Sequence, residues 1–74
     1  MKLSELRIKR GLSQAGLSEK SGVNLRSLQN YEQGHRKIET ANLFTICRLA
    51  QALECNISDI IDDKNLIDLY EKVK

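Results

Sequence analysis

Residues 22–34, GVNLRSLQNYEQG, combine an apolar periodicity with side chains that are rich in hydrogen-bond donors. Leu25, Leu28 and Tyr31 recur every three residues, which indicates one buried face of a helix. The positions between them hold arginine, serine, glutamine and asparagine, which can all hydrogen-bond to a polar ligand. Two interpretations are open: an ordinary solvated helix face, or a face that recognises a partner.

Basic residues are concentrated in the first half of the chain. Residues 1–37 hold eight lysines and arginines against three acids, a net charge of +5, whereas residues 38–74 hold four against seven, a net charge of −3. A basic half beside an acidic half favours a polyanionic partner for the basic half. Charge alone leaves open the alternative of chance clustering on a solvated surface.

Composition argues against several other functions. Only 4% of the residues are aromatic, too few for a surface that stacks single-stranded bases. Cys47 and Cys55 have no second pair of ligands at zinc-site spacing, so we expect no metal and no cofactor. Both cysteines stand among apolar residues and are expected to be buried, with a redox-sensing thiol as the alternative. His35 is the single histidine, and no nucleophile–base or carboxylate pair stands out, so no enzyme is expected.

The chain also lacks signals for membranes and for secretion. No apolar run approaches the length of a transmembrane helix, and the N-terminal MKLSELRIKR has no apolar segment of the signal-peptide kind. We therefore expect a cytoplasmic protein without membrane association. With 74 residues it suits one small domain with little room for an enclosed active site, and no small-molecule ligand is evident.

The elements that position the donor-rich face are predicted to be helices throughout. Leu3 and Leu6 begin a first helix, which Gly11 ends. Ser13 is a natural N-cap for a second helix, which ends near Gly22.

The third predicted helix carries the donor-rich face. It runs over about 25–33, with Asn24 as its N-cap and Gly34 as a left-handed C-cap. The short glycine-containing connection between the second and third helices is typical of a helix-turn-helix, here spanning about 14–33.

Three further helices are predicted after a polar loop. Asn42 or Thr40 caps the fourth, whose apolar stripe is Leu43, Ile46, Cys47, Leu49, Ala50 and Leu53. Asn56 starts the fifth with Asp59 as its capping partner. An amphipathic sixth is predicted from Leu66, Leu69, Tyr70 and Val73. We divide the chain into a domain over 1–62 and a helical tail over 63–74.

These residues resemble a known family, the Xre-type helix-turn-helix of phage repressors and Cro. The matched elements are Leu6-Arg7, Gly11-Leu12-Ser13-Gln14, Leu17, Ser21-Gly22-Val23, Leu28, Tyr31-Glu32, Gly34 and Arg36. The later LAQALECNISDII is similar to the family's fourth and fifth helices, so the resemblance covers about residues 3–61. It implies an all-α, compact five-helix repressor-like DNA-binding domain, to which the periodicity adds a short C-terminal sixth helix.

The chain departs from the family pattern at three places. The loop before the fourth helix is longer than in many members and lacks the proline often found there. Gly16 replaces a better helix former, which weakens the second helix by up to about 1 kcal/mol. The segment from about residue 63 lies outside the family core, so nothing carries over to it.

The resemblance implies a mostly buried ion pair between Arg7 and Glu32 that ties the first helix to the end of the third. The sequence supports this pair independently. Each charge follows a core residue, Leu6 or Tyr31, and so lies at the edge of an apolar face.

The family also implies that the N-terminal part of the third helix enters the DNA major groove. The base-reading candidates are then Arg26, Asn30, Leu25, Asn24 and Ser27. Arg26 can donate two hydrogen bonds to guanine, Asn30 can pair with adenine, and Leu25 can touch a thymine methyl group or join the core. The phosphate-binding candidates are Gln14, His35, Arg36 and Lys37.

Family members usually dimerise, so that two recognition helices meet successive major grooves. The candidate dimer contacts are Ile57, Ile60 and Ile61 in the fifth helix, with Leu66, Leu69, Tyr70 and Val73 in the tail. The alternative is that the tail folds back on its own core. The resemblance implies a homodimeric regulator of transcription, a repressor that binds double-stranded DNA at a palindromic operator. A different function for the same fold is a protein-interaction module, such as an antitoxin or a regulatory subunit.

Overall fold

The computed structural model describes residues 2–61 and 64–73, and every secondary-structure element within them is a helix. The elements are α1 (Lys2–Lys9), α2 (Gln14–Ser21), α3 (Leu25–Gln33), a 3-10 helix (Ile38–Thr40), α4 (Leu43–Leu53), α5 (Ile57–Ile60) and α6 (Lys64–Val73). The prediction of an all-α fold with five helices and a short sixth is confirmed.

Side-chain caps set the start of most helices, as the sequence predicts. Ser13 Oγ accepts a hydrogen bond from the Gly16 N–H at 2.9 Å, and Asn42 Oδ1 accepts one from the Thr45 N–H at 2.8 Å. At α5, Asp59 Oδ2 accepts from the backbone N–H of Asn56 at 2.9 Å. Each cap satisfies a backbone donor that the helix itself leaves unpaired.

The turn between α2 and α3 depends on glycine. Gly22 has φ 74°, a left-handed conformation that glycine adopts without steric cost. A Cβ at this position would also lie 2.8 Å from Nη1 of Arg48, so a side chain there would displace the flexible end of the Arg48 side chain. Ser18 Oγ donates to the Val23 carbonyl at 2.6 Å and braces the turn from the α2 side.

The core forms where α2 packs against α3 and α4, and where α1 packs against α3 and α5. The largest fully buried side chains are Leu3, Leu17, Leu28, Ile38, Leu49, Leu53 and Ile60. α1 and α4 therefore pack against the inner side of the helix-turn-helix. The opposite side of α3 is left uncovered.

Two predictions about α4 are wrong. Leu43 is 67% exposed, and Cys47 is exposed rather than part of the core. The buried stripe begins only at Ile46, and Cys47 lies about 100° around the helix from it. Phe44 is also exposed, with the Arg48 guanidinium carbon 4.3 Å from its ring centroid.

Arg10 caps the C-terminal end of α4. Its Nε donates to the Leu53 carbonyl at 2.8 Å, and its Nη2 donates to the Glu54 carbonyl at 3.1 Å. Glu54 has φ 53°, the left-handed conformation that commonly ends a helix. One of the cations counted in the basic half therefore has a structural contact.

The beginning and the end of the tail helix α6 differ in how far their apolar side chains are buried. Leu66 and Ile67 pack against the core, whereas Leu69 and Val73 are 57% and 77% exposed. The first turns of α6 thus fold back on the chain, and its later turns offer apolar side chains to solvent. The side chain of Tyr70, also predicted as a dimer contact, lies outside what the structure describes.

The predicted dimer contacts in and after α5 need correction. Ile60 and Ile61 are 1% and 4% exposed within a single chain, because they pack into the core. They cannot reach a second copy without rearrangement, and only Ile57 of the three is partly exposed. None of the helices in residues 2–61 and 64–73 has the length and apolar character that a membrane span requires.

Candidate nucleic-acid interface

α3 is fixed by its cap and by its apolar face. Leu28 and Tyr31 are 0% and 6% exposed, so this side of the helix faces the core. At the N-terminus, Asn24 Oδ1 accepts from the N–H groups of Arg26 at 2.9 Å and Ser27 at 3.3 Å. The opposite side of α3 is therefore presented to solvent in a defined orientation.

The outward side of α3 and the loop after it form an open concave surface, here called the α3 face. It is lined by Asn24, Leu25, Arg26, Gln29, Asn30, Gln33 and His35. The structure thus brings together four of the five predicted base-reading residues. It adds Gln29 and Gln33, which the sequence analysis missed although they stand at helical spacing from Arg26.

Three of the predicted readers differ in what they can offer. The side-chain oxygen of Asn24 is occupied by the helix cap, which leaves its amide N–H groups for a ligand. Leu25 is 37% exposed and can make apolar contact. Ser27 is half-buried and does not line the α3 face.

The predicted ion pair between Arg7 and Glu32 is present and has two hydrogen bonds. Arg7 Nε donates to Glu32 Oε2 at 2.8 Å, and Arg7 Nη2 donates to Oε1 at 3.1 Å. Arg7 Nη1 also donates to the Leu12 carbonyl at 2.8 Å. The two side chains are 14% and 5% exposed, so the pair fixes the C-terminal end of α3 against α1 and the loop before α2.

The side chain of Gln14 extends this network toward the α3 face. Its Nε2 donates to Glu32 Oε1 at 3.3 Å, and its Oε1 lies 3.5 Å from Nε2 of Gln29. The Gln14 side chain is therefore engaged within the chain, and the predicted phosphate contact at the start of α2, which rests on backbone N–H groups, stays a prediction. The cause is the packing of α2 against α3, which points the first side chain of α2 at the last turns of α3.

The basic loop after α3 is exposed along its length. The N–H groups of His35 and Arg36 donate to the Asn30 carbonyl at 3.0 Å and 3.2 Å, so the loop continues closely from the helix end. Arg26, Arg36 and Lys37 have no carboxylate within ion-pair distance among residues 2–61 and 64–73. Their charges are available to a polyanion.

The cysteines are not arranged as a metal site. Nowhere in the described part of the chain do three histidine, cysteine or acidic side chains come together as ligands. Cys55 is half-buried, and burial raises the pKa of its thiol above the ordinary value, with the nearby Asp59 charge adding to the effect.

Comparison with known proteins identifies the family to which these helices belong. A family model described as helix-turn-helix matches residues 3–60. The match runs from α1 through α5 and leaves α6 outside. Searches among curated proteins and among solved structures found no match.

Proposed function

Because the chain belongs to the Xre/Cro-type helix-turn-helix family of DNA-binding regulators, we propose that it is a sequence-specific transcriptional repressor. It binds double-stranded DNA at a palindromic operator with α3 in the major groove. Repression follows because a protein seated on the operator blocks polymerase sterically.

The observation that carries the proposal is the composition of the α3 face. Arg26 lies near the N-terminus of α3 with no ion-pair partner among the described residues, and Asn30 lies one turn further on. An α-helix fits the major groove, where an arginine can donate two hydrogen bonds to guanine O6 and N7. Asn30 can pair with N6 and N7 of adenine, and Leu25 suits a thymine methyl group.

Phosphate contacts complete the interface in this proposal. Arg36 and Lys37 are exposed beside the end of α3, directly after His35, which lines the α3 face. Gln14 begins α2, where unpaired backbone N–H groups and the helix dipole favour an anion. Such contacts set affinity and register but carry no sequence information.

A homodimer is the form that suits a palindromic operator. One α3 covers half of such a site, and a two-fold axis places the second α3 one helical turn away. The exposed Leu69 and Val73 of α6, with the half-buried Ile57, supply the apolar surface for this contact.

The experiment is a selection of random duplex DNA by the purified wild-type protein and by Arg26→Ala. Lys72→Ala, which removes one positive charge from α6, is the charge-matched control. We expect an enriched palindrome whose half-site guanine preference disappears in Arg26→Ala and persists in Lys72→Ala. Weak, salt-sensitive binding without enrichment would contradict the proposal and favour the protein-interaction module instead.

A further inference from the structure

Gln29 lies on the α3 face and is connected to the buried ion pair. It stands three residues after Arg26 and four before Gln33, on the same stripe of α3. Its amide nitrogen contacts Gln14, whose own amide nitrogen contacts Glu32. A continuous row of polar groups therefore runs from Arg7 to the surface that faces DNA in the proposed function.

The direction of the hydrogen bonds in this row is determined at its buried end. An arginine can only donate, and the Glu32 carboxylate that it pairs with can only accept. The Gln14 amide must therefore turn its nitrogen toward Glu32 and its oxygen toward Gln29. Facing that oxygen, Gln29 must turn its own nitrogen inward.

The contacts at Gln14 are long but still select one orientation. They measure 3.3 Å and 3.5 Å, beyond the usual 2.7–3.2 Å of an N–H···O hydrogen bond. Reversing the Gln14 amide would place its oxygen against the Glu32 carboxylate, and reversing Gln29 would place two amide oxygens together. Each reversal replaces an attraction by a repulsion.

We propose that Gln29 is a specificity-determining residue that presents its Oε1 as an acceptor to the major groove, and that Gln14 is the positioning residue. An acceptor in this place selects a base with an exocyclic amino group, N6 of adenine or N4 of cytosine. It disfavours the O6 of guanine and the O4 of thymine, which are acceptors themselves. This inference rests on the proposed function, because it assumes that the α3 face meets base edges.

The test measures dissociation constants for the selected operator and for every single-base substitution in one half-site. The variants are Gln29→Ala and Gln14→Met, which keeps the length of the side chain without the amide. Gln14→Asn is a second variant that keeps an amide one methylene too short to bridge. The matched control is Gln51→Ala, because Gln51 is an exposed glutamine of α4 that does not line the α3 face.

We expect wild type to prefer adenine or cytosine at one half-site position by at least about fivefold. Gln29→Ala removes this preference, both Gln14 variants weaken it, and Gln51→Ala keeps it. In the Gln29→Ala background, Gln14→Met has no further effect on that position. A purely structural role of Gln14 would instead lower affinity equally for all sequences.

The outcomes separate failure of the inference from failure of the proposed function. The inference is overturned if the half-site position whose preference changes in Gln29→Ala prefers guanine or thymine in wild type. It is also overturned if the adenine or cytosine preference at that position is unchanged in both Gln14 variants. In either case the proposed function still holds if wild type has a guanine preference that Arg26→Ala removes. Absence of sequence-specific binding by wild type overturns both.

Discussion

Arg7 and Glu32 hold two charges where water has little access, so each depends on the other. Their side chains are 14% and 5% exposed and share two hydrogen bonds. Removing one partner leaves the other charge buried and unpaired. We predict that Arg7→Ala and Glu32→Ala each lower the free energy of unfolding by about 3–5 kcal/mol. Urea denaturation monitored by circular dichroism measures this.

Lys9→Ala is the control for the ion pair, because Lys9 is exposed in the same helix and its removal should change stability little. Replacing both partners with apolar residues of similar volume should restore much of the loss, since no buried charge then remains. Unfolding midpoints of the two single variants that match Lys9→Ala would refute a structural role for the pair.

The two cysteines should differ in reactivity. Cys47 is exposed, whereas Cys55 is half-buried with a thiol whose pKa is raised. The thiolate is the reactive form, and a raised pKa means that less thiolate is present at a given pH. We predict that iodoacetamide modifies Cys47 first, and that labelling of Cys55 reaches its half-maximal rate at a higher pH than a free thiol does.

Mass spectrometry of Cys47→Ser and Cys55→Ser separates the two labelling rates. Faster labelling of Cys55 than of Cys47 at neutral pH would contradict the burial of the Cys55 thiol.

Individual polar contacts between distant residues were the part of the molecule that the sequence did not predict. Arg10 bonds to a carbonyl 43 residues away, and Gln14 to a carboxylate 18 residues away. Periodicity and caps report only local structure, so they carry no signal for such contacts. The pair of Arg7 and Glu32 was predicted from the family resemblance, with support from the position of each charge beside an apolar residue.

At the scale of helices, capping residues and glycines in the sequence were enough to predict where several helices begin and end. Ser13, Asn24 and Asn42 cap their helices as predicted, and Gly22 and Gly34 end theirs in the left-handed conformation. The chemistry of these residues acts within one turn, which is why a single sequence reveals it.

The apolar stripe of α4 shows that apolar spacing alone does not predict which turns of a helix are buried. Leu43 and Cys47 look like core residues because they are apolar at roughly helical spacing. Whether a given turn is covered depends on the neighbouring helices, which periodicity does not specify. Both residues are exposed in the structure for that reason.

The loop after α3 yields a prediction about salt. Arg36 and Lys37 are exposed and without ion-pair partners among the described residues. If each neutralises one phosphate, removing one lowers the slope of log K against log salt by about 0.9. We predict that Lys37→Ala weakens binding to all duplex sequences by a similar factor, with the slope reduced by that amount.

Fluorescence anisotropy over a range of salt concentrations gives this slope. Lys72→Ala should leave it unchanged, because Lys72 lies in the last turn of α6 and does not line the α3 face. A change in base preference on Lys37→Ala would contradict a pure phosphate role.

For the whole molecule, α6 combines a packed beginning with an apolar end in solvent. Leu69 is 57% exposed, so a charge there costs little within one chain but disrupts an apolar contact between two. We predict that Leu69→Glu keeps the unfolding free energy of the monomer within about 0.5 kcal/mol and weakens dimerisation. Sedimentation equilibrium measures the monomer–dimer constant.

Asp68→Ala is the control for the tail, because Asp68 is the exposed neighbour of Leu69 in α6. It should leave the monomer–dimer constant close to that of wild type. A Leu69→Glu protein with an unchanged constant would show that α6 takes no part in the dimer.

The proposed hydrogen bonds from Arg26 on the α3 face to the edge of a guanine can be tested at a single acceptor atom. The guanine of the selected half-site is replaced by 7-deazaguanine, which lacks the N7 acceptor, and affinities are compared for wild type and Arg26→Ala. We predict that wild type loses at least about fivefold in affinity while Arg26→Ala loses none. Equal losses for both proteins, or no loss for wild type, would show that Arg26 does not donate to guanine N7.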